Sequence, residues 1–117
     1  MGITFVKAIV SNDAGTEEEV RFLVDSGASY TLLPLAVWQH LELKPDSIEE
    51  FSLADGTLLR RNRSECRIQW DQMVRHTPVI LGEEGDEALL GVRTLEVLGL
   101  VLNPFNRPLH PMRMLLA

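Results

Sequence analysis

The sequence predicts a mainly β domain, barrel-like or sandwich-like, with one or two short helices. Short runs rich in Val, Ile, Leu and Phe recur along the 117 residues, turn signals separate these runs, and two short segments have helical spacing. The length suits a single domain over residues 1–117. Its core would be thin, so oligomerisation would help to stabilise it.

The first elements are a predicted β-hairpin and a helix. Residues 3–10 are rich in β-branched side chains, residues 11–15 are a cluster of turn formers, and residues 20–24 form the second predicted strand. Pro34 then fits the first position of a short helix over residues 35–41, because its missing N–H would have no helical partner there.

A second hairpin is predicted around Asp55-Gly56, since this dipeptide is a strong turn signal between alternating segments. The segment after the turn, residues 57–70, continues as one long strand or two short ones. The later predicted elements are strands over residues 77–82, 88–91 and 100–102, a helix over 92–98 that stops at Gly99, and an extended loop over the proline-rich residues 103–111.

The charge balance argues against nucleic acid as a partner. The formal net charge is -6, whereas a protein that binds phosphate backbones needs a basic excess. One basic cluster exists, and we interpret it as a solvated strand face. A contact with an acidic substrate or with a partner subunit is the alternative for its members, Arg60, Arg61, Arg63 and Arg67.

Cysteine usage and hydropathy predict a cytoplasmic protein. The single cysteine, Cys66, permits no internal disulfide, which fits a reducing compartment. Residues 1–10 lack the pattern of a signal peptide, and no apolar run approaches the ~20 residues that span a bilayer. We therefore expect no membrane partner.

No metal or cofactor is expected. The three histidines lie far apart and share no ligand spacing with Cys66, and no Walker-type or dinucleotide-binding glycine loop occurs. Cys66 lies in a charged strand pattern and is interpreted as a bystander thiol. Trp38 and Trp70 are interpreted as core residues.

Asp25 is the most informative residue of the chain. It ends the apolar run of residues 22–24 and is followed by the small residues Ser26, Gly27 and Ala28. Asp-Ser-Gly is by itself a common turn. The apolar flanks, however, place this carboxylate in a partly desolvated position, which proteins tolerate mainly when the group is paired or functional.

A second copy of Asp25 would explain this choice of residues. Two carboxylates in contact share one proton, and such a pair can deprotonate a water with one member and protonate a carbonyl with the other. The small residues that follow leave space for water and substrate. Ser26 can anchor the loop through its hydroxyl, and Gly27 lets the backbone turn and the substrate approach closely.

Three segments together resemble a known family. Residues 22–28 resemble the catalytic motif of aspartic proteases, and the length and layout are similar to those of the retropepsin-like branch, above all its prokaryotic members. Residues 88–91, followed by the helix over 92–98, are similar to the segment that ends the retropepsin core. Residues 53–57 resemble the turn of the flap hairpin. The resemblance covers roughly residues 3–103.

The resemblance implies a closed, mainly β retropepsin-like barrel and an aspartic endopeptidase. It implies that Asp25 is the catalytic acid and base, that Ser26 locks two active-site loops together, and that Gly27 offers backbone hydrogen bonds to a peptide or protein substrate. Ala28 completes the active-site loop. A flap covering the cleft is implied at Ala54, Asp55, Gly56 and Thr57.

A symmetric homodimer follows from counting carboxylates. The proposed chemistry needs two, and the chain supplies one aspartate in this motif, so the second must come from another copy. The apolar residues 112–117 offer a clasp between subunits. Packing of this tail within its own subunit is the alternative.

The chain departs from the viral pattern in several places. Viral members often have an acidic residue after the motif, bonded to an arginine that follows the later glycine. Here Ser29 and Val92 take these places, and Arg93 comes one residue late, so this brace is expected to be missing or rebuilt. The flap turn has one glycine, Gly56. Tyr30 either lines a pocket or packs inside.

The alternative function is a non-catalytic peptide-binding or dimerisation module on the same fold. The distance between the two Asp25 carboxylates in a dimer distinguishes the two functions. Hydrogen-bonding contact around a water favours the enzyme, and separation beyond ~6 Å favours the module.

Overall fold

The computed structural model describes residues 3–102 and 109–111. Within these residues the chain forms nine β-strands and two short α-helices, which confirms the prediction of a mainly β fold. The elements in chain order are β1 (Phe5–Ser11), β2 (Glu17–Val24), β3 (Thr31–Leu33), α1 (Leu35–His40), β4 (Ser47–Ser52), β5 (Leu58–Trp70), β6 (Met73–Leu81), β7 (Leu89–Leu90), α2 (Val92–Val97), β8 (Leu100–Leu102) and β9 (Leu109–Pro111).

Six strands form a closed ring. The hydrogen-bonded order is β1, β2, β7, β3, β6 and β5, and a further pairing of β5 with β1 closes the ring. β4 pairs with β5 outside the ring and makes a hairpin with it. Closure removes the free edges that an open sheet would have, and it favours the barrel over the sandwich among the two predicted architectures.

The interior follows from the alternation of side chains in the first hairpin. Ala8 and Val10 of β1 are buried, as are Val20 and Phe22 of β2, while the residues between them are more exposed. Ala8 lies opposite Val20 in the register, so both point into the ring. A slip of one residue would turn this whole set towards solvent, and the register is therefore strongly determined.

The two helices begin and end close to their predicted limits, with one correction. Pro34 is the residue before α1 and not its first residue, because its backbone is extended with ψ 154°. Its carbonyl accepts hydrogen bonds from the N–H groups of Val37 and Trp38 at 3.0 and 3.2 Å. After α2, Gly99 has φ +67°, the left-handed conformation that commonly stops a helix.

The extended loop predicted over residues 103–111 is wrong in its last part. β9 pairs antiparallel with β8, from Leu100 opposite Pro111 to Leu102 opposite Leu109. Pro111 is compatible with this strand because an edge strand does not need every N–H group for pairing. Residues 103–108 and the predicted clasp, residues 112–117, lie outside the described part of the chain.

The sequence did not predict β3, since three residues are too few for a visible period.

In the part of the chain that the structure describes, no helix has the length and apolar character needed to cross a lipid bilayer.

Candidate active site

Asp25 lies directly after β2, where the ring brings β2 beside β7. The two strands are parallel, with Val24 opposite Leu90, and the Asp25 N–H donates to the Leu90 carbonyl at 3.0 Å. The side chain is half-buried between the buried Val24 and an exposed loop. The aspartate thus lies at the end of a buried strand, at the rim of the ring.

The loop after β2 is a tight turn built on Asp25 itself. Its carboxylate oxygen Oδ1 accepts the N–H of Gly27 at 2.9 Å, and its backbone carbonyl accepts the N–H of Ala28 at 3.1 Å. A Cβ atom at position 27 would lie 3.3 Å from Oδ1, which is tighter than an ordinary contact. Glycine therefore lets the loop hold the carboxylate closely. Ser26 is exposed.

The first turn of α2 is attached to the same loop. The N–H of Val92 donates to the carbonyl of Ala28 at 2.8 Å, and that of Arg93 donates to Ser29 at 3.0 Å. These are N–H groups of a helix start, which have no partner within the helix. A Cβ atom at Gly91 would collide with the carbonyl group of Tyr30, so a glycine is required for this close approach.

Three buried threonines form a hydrogen-bonded cluster next to the loop. The Thr31 hydroxyl accepts the N–H of Gly91 at 3.0 Å and lies 2.5 Å from the hydroxyl of Thr94. The Thr94 hydroxyl lies 2.8 Å from that of Thr77. The cluster joins β3, β6 and α2 in a place where all three side chains are buried and hydrogen-bonded. Sequence reasoning missed this cluster, and the available signal was three threonines that each stand directly before apolar residues.

The brace of the viral pattern is rebuilt by other contacts. Ser29 and Arg93 meet through their backbones, as described above. The Arg93 guanidinium lies over the ring of Tyr30, with its carbon 4.8 Å from the ring centroid. A cation–π contact and two backbone hydrogen bonds therefore join α2 to the loop in place of an acid–arginine pair.

The predicted hairpin at Asp55-Gly56 is present between β4 and β5. Ser52 lies opposite Leu58, and the Leu53 N–H donates to the Thr57 carbonyl at 2.8 Å. The Thr57 N–H donates to the Asp55 carboxylate at 2.9 Å. Hydrogen bonding from the Thr57 side chain, and then from this N–H, lowers the pKa of Asp55. Gly56 has φ +87°, a conformation that favours glycine. Ala54 completes the turn. Coverage of a cleft by this turn stays a prediction.

A cleft of about 460 Å³ lies between the Asp25 loop and this hairpin. The loop contributes residues 27–30 and the hairpin contributes Phe51, Leu53, Leu59 and Arg61, while the ring supplies the apolar floor. Most of the surface is apolar, with Arg61 and Asp86 as charged members. Apolar walls with few polar groups are typical of a binding site.

The basic cluster is paired with carboxylates of the same chain. Arg63 binds Glu49 at 2.8 Å, Arg60 binds Glu50 at 3.0 Å, and Arg61 binds Glu83 at 3.2 Å. Arg67 lies 3.7 Å from Asp13. These pairs support the interpretation as a solvated strand face, although Arg61 also reaches the cleft.

Other candidate residues have structural surroundings. Burial raises the pKa of the Cys66 thiol to about 12, so a nucleophilic thiolate does not form near neutral pH. Trp38 donates its indole N–H to the Gly82 carbonyl at 2.8 Å, and both Trp38 and Trp70 pack against the core. No group of three or more potential metal ligands occurs among residues 3–102 and 109–111.

The closed β ring, the Asp-Ser-Gly loop at its rim and the glycine-helix segment bonded to that loop define a retropepsin-like aspartic protease fold. The family model described as "gag-polyprotein putative aspartyl protease" matches residues 14–97, and the chain belongs to this family. The resemblance inferred from the three sequence segments is thereby confirmed.

Among solved structures, the chain is similar to EIAV protease in complex with the inhibitor HBY-793. The TM-score is 0.64 and the identity is 17%, over 87% of this chain and 93% of the EIAV protease chain. At this identity the likeness establishes the fold. No curated protein matches the sequence.

Proposed function

We propose that this chain, as one domain, is an aspartic endopeptidase in which the Asp25 residues of two copies form the catalytic dyad. The observation that carries the proposal is the setting of Asp25. Its carboxylate is half-buried at the end of a buried strand and held by the Gly27 N–H, and the loop residues that follow it, 27–30, line an apolar cleft. Membership of the aspartyl protease family supports the same chemistry.

The proposed reaction uses one proton shared by the two carboxylates. The ionised member takes a proton from water, whose oxygen attacks the peptide carbonyl carbon, while the other member protonates the carbonyl oxygen. The C–N bond of the resulting tetrahedral species then breaks as the leaving nitrogen receives a proton from the dyad. The products are a carboxylic acid and an amine, and no cofactor is consumed.

The homodimer rests on the single motif and on the loop beside it. Asp25 is the one aspartate of the sequence that precedes Ser/Thr-Gly-Ala/Ser. Ser26 is exposed next to it. Within the described part of the chain the Ser26 side chain has no hydrogen-bond partner, and we infer that its hydroxyl bonds to the loop of a second copy. A two-fold axis beside Asp25 would bring identical loops together.

The test is hydrolysis of an unfolded protein by the wild type and by Asp25→Asn at several pH values. We expect a bell-shaped pH profile for the wild type, because one shared proton is required, and no hydrolysis by Asp25→Asn. Asp71→Asn is the matched control, since Asp71 lies in the turn between β5 and β6 with φ +55°, which asparagine also adopts.

Equal turnover by Asp25→Asn and the wild type would refute the proposed aspartic endopeptidase activity. Peptide binding by a dimer that hydrolyses nothing at any pH would instead support the non-catalytic module.

A further inference from the structure

Tyr30 connects the Asp25 loop to both strands of the hairpin and to α2. Its hydroxyl donates to Glu49 Oε1 of β4 at 3.1 Å and accepts a hydrogen bond from Arg63 Nη1 of β5 at 3.2 Å. Its ring makes an edge contact with Phe51, with centroids 6.2 Å apart, and lies under the guanidinium of Arg93. One half-buried side chain therefore contacts all three neighbouring elements.

Glu49 and Arg63 are themselves paired on the cleft side of the hairpin. Arg63 Nη1 donates to Glu49 Oε1 at 2.8 Å, and the Arg63 guanidinium also lies 5.3 Å from the Tyr30 ring centroid. Arg63 and the Tyr30 hydroxyl lower the pKa of Glu49, so this carboxylate is charged at neutral pH. Glu49 lies on the same face of β4 as Phe51, which lines the cleft.

This cluster lies at the base of the exposed part of the hairpin, at the level of the Arg61–Glu83 ion pair, since Arg61 lies opposite Glu49. Beyond Phe51, residues 52–58 are all exposed. Strands rise by about 3.3 Å per residue, so Ser52, the last residue of β4, lies roughly 10 Å further along the strand than Glu49, and the turn at Asp55-Gly56 lies beyond it. A small rotation at the cluster would move the tip by several times as much.

We propose that Tyr30 is a positioning residue, which sets the position of the hairpin over the cleft through Glu49 and Arg63. The role in hydrolysis rests on the proposed function. Tyr30 is the last residue of the Asp25 loop before β3, so its side chain links the hairpin to the loop that carries the carboxylate. Loss of its hydroxyl would loosen the hairpin while leaving the ring packed between Phe51 and Arg93.

The test uses Tyr30→Phe, which keeps the ring and removes the hydroxyl. We expect hydrogen exchange of the unliganded protein to become roughly tenfold faster over residues 47–58, the effect of losing a hydrogen bond to a charged group. We also expect KM for a peptide substrate to rise roughly tenfold with kcat within about twofold, because the hairpin closes over substrate less often. A merely structural effect would lower the active fraction and leave KM unchanged.

The matched control is Glu50→Gln. Glu50 pairs with Arg60 on the opposite face of the same strands, and its pair is more exposed, at 47% and 72% against 28% and 29% for Glu49 and Arg63. This variant should leave both the exchange rates and KM unchanged. Glu49→Gln should act in the same direction as Tyr30→Phe, and it replaces that variant if Tyr30→Phe fails to fold.

The proposal would be overturned if Tyr30→Phe had the exchange rates and the KM of the wild type. It would also be overturned if Glu50→Gln changed these quantities as much as Tyr30→Phe does. The exchange measurement needs no substrate and no activity. A failure of the Tyr30 proposal is therefore distinguishable from a failure of the endopeptidase proposal, which is tested by hydrolysis with Asp25→Asn.

Discussion

At the scale of single residues, Gly27 determines how the Asp25 carboxylate is held. The N–H of Gly27 binds Oδ1, and the missing side chain leaves this oxygen just enough space. A methyl group here would displace either the loop or the carboxylate by a few tenths of an ångström. Position 27 is exposed, so the cost should appear in catalysis more than in folding.

Gly27→Ala should therefore lower kcat/KM roughly tenfold, less than the roughly 100-fold that a misplacement of a reacting group by about 1 Å costs, because the displacement is smaller. Its effect on the free energy of unfolding should stay below about 1 kcal/mol. Peptide hydrolysis and urea denaturation measure the two quantities.

Gly15→Ala is the contrasting control for this prediction. Gly15 has φ +96° in a turn remote from Asp25, and no atom lies within 4 Å of the position of its added Cβ. This variant should lose about 1 kcal/mol of stability through backbone strain and keep its activity. Full activity in Gly27→Ala would show that the carboxylate tolerates displacement.

At the scale of elements, the Asp25 loop is held by hydrogen bonds from its neighbours. Two backbone N–H groups of α2 donate to the carbonyls of Ala28 and Ser29. The buried hydroxyl of Thr94 in the same helix is hydrogen-bonded to the hydroxyls of Thr31 in β3 and Thr77 in β6. Buried hydroxyls that lose a partner are costly, because water cannot replace the missing bond. The threonine cluster is accordingly a strong constraint on where the loop lies.

Thr94→Val should destabilise the protein by about 1–3 kcal/mol, since it leaves the hydroxyls of Thr31 and Thr77 without their shared partner. Thr94→Ser is the matched control, because it keeps the hydroxyl and removes one methyl group, and its loss should be about 1 kcal/mol. Urea denaturation compares the variants. A greater loss in Thr94→Ser than in Thr94→Val would mean that packing, and not the hydroxyl network, dominates at this position.

At the scale of the whole molecule, the proposed site is incomplete in one chain. Each copy contributes one Asp25 and one Ser26, so the dyad forms when two copies meet around a two-fold axis. The working unit of the proposed enzyme is therefore the dimer. Mixing active with inactive chains tests this directly, because subunits that exchange will form mixed dimers.

Addition of excess Asp25→Asn chains should lower the activity of a fixed amount of wild type, with the fraction retained following the fraction of wild-type pairs. Sedimentation should show dimers for both proteins. Asp25→Asn that also lacks residues 112–117 is the control, and it should inhibit less if the tail clasps the partner. Hydrolysis that stays linear in wild-type enzyme, with monomers in sedimentation, would contradict a shared site.

Much of this architecture is determined by local sequence. Alternation of side chains predicts the first hairpin, Asp55-Gly56 predicts the second, and Gly99 predicts the end of α2, since each depends on residues a few positions apart. The loop at Asp25 was predictable for the same reason: an aspartate and a glycine two residues later can bind each other within one turn.

The tertiary structure decided what depends on distant parts of the chain. Closure of the ring pairs β1 with β5, and the threonine cluster joins Thr31 to Thr94 over 63 residues. Tyr30 likewise meets Glu49 and Arg63 from 19 and 33 residues away. No local periodicity records such pairs. They form because folding brings separate strands to the same rim, where a polar side chain must find a partner or pay the cost of burial without one.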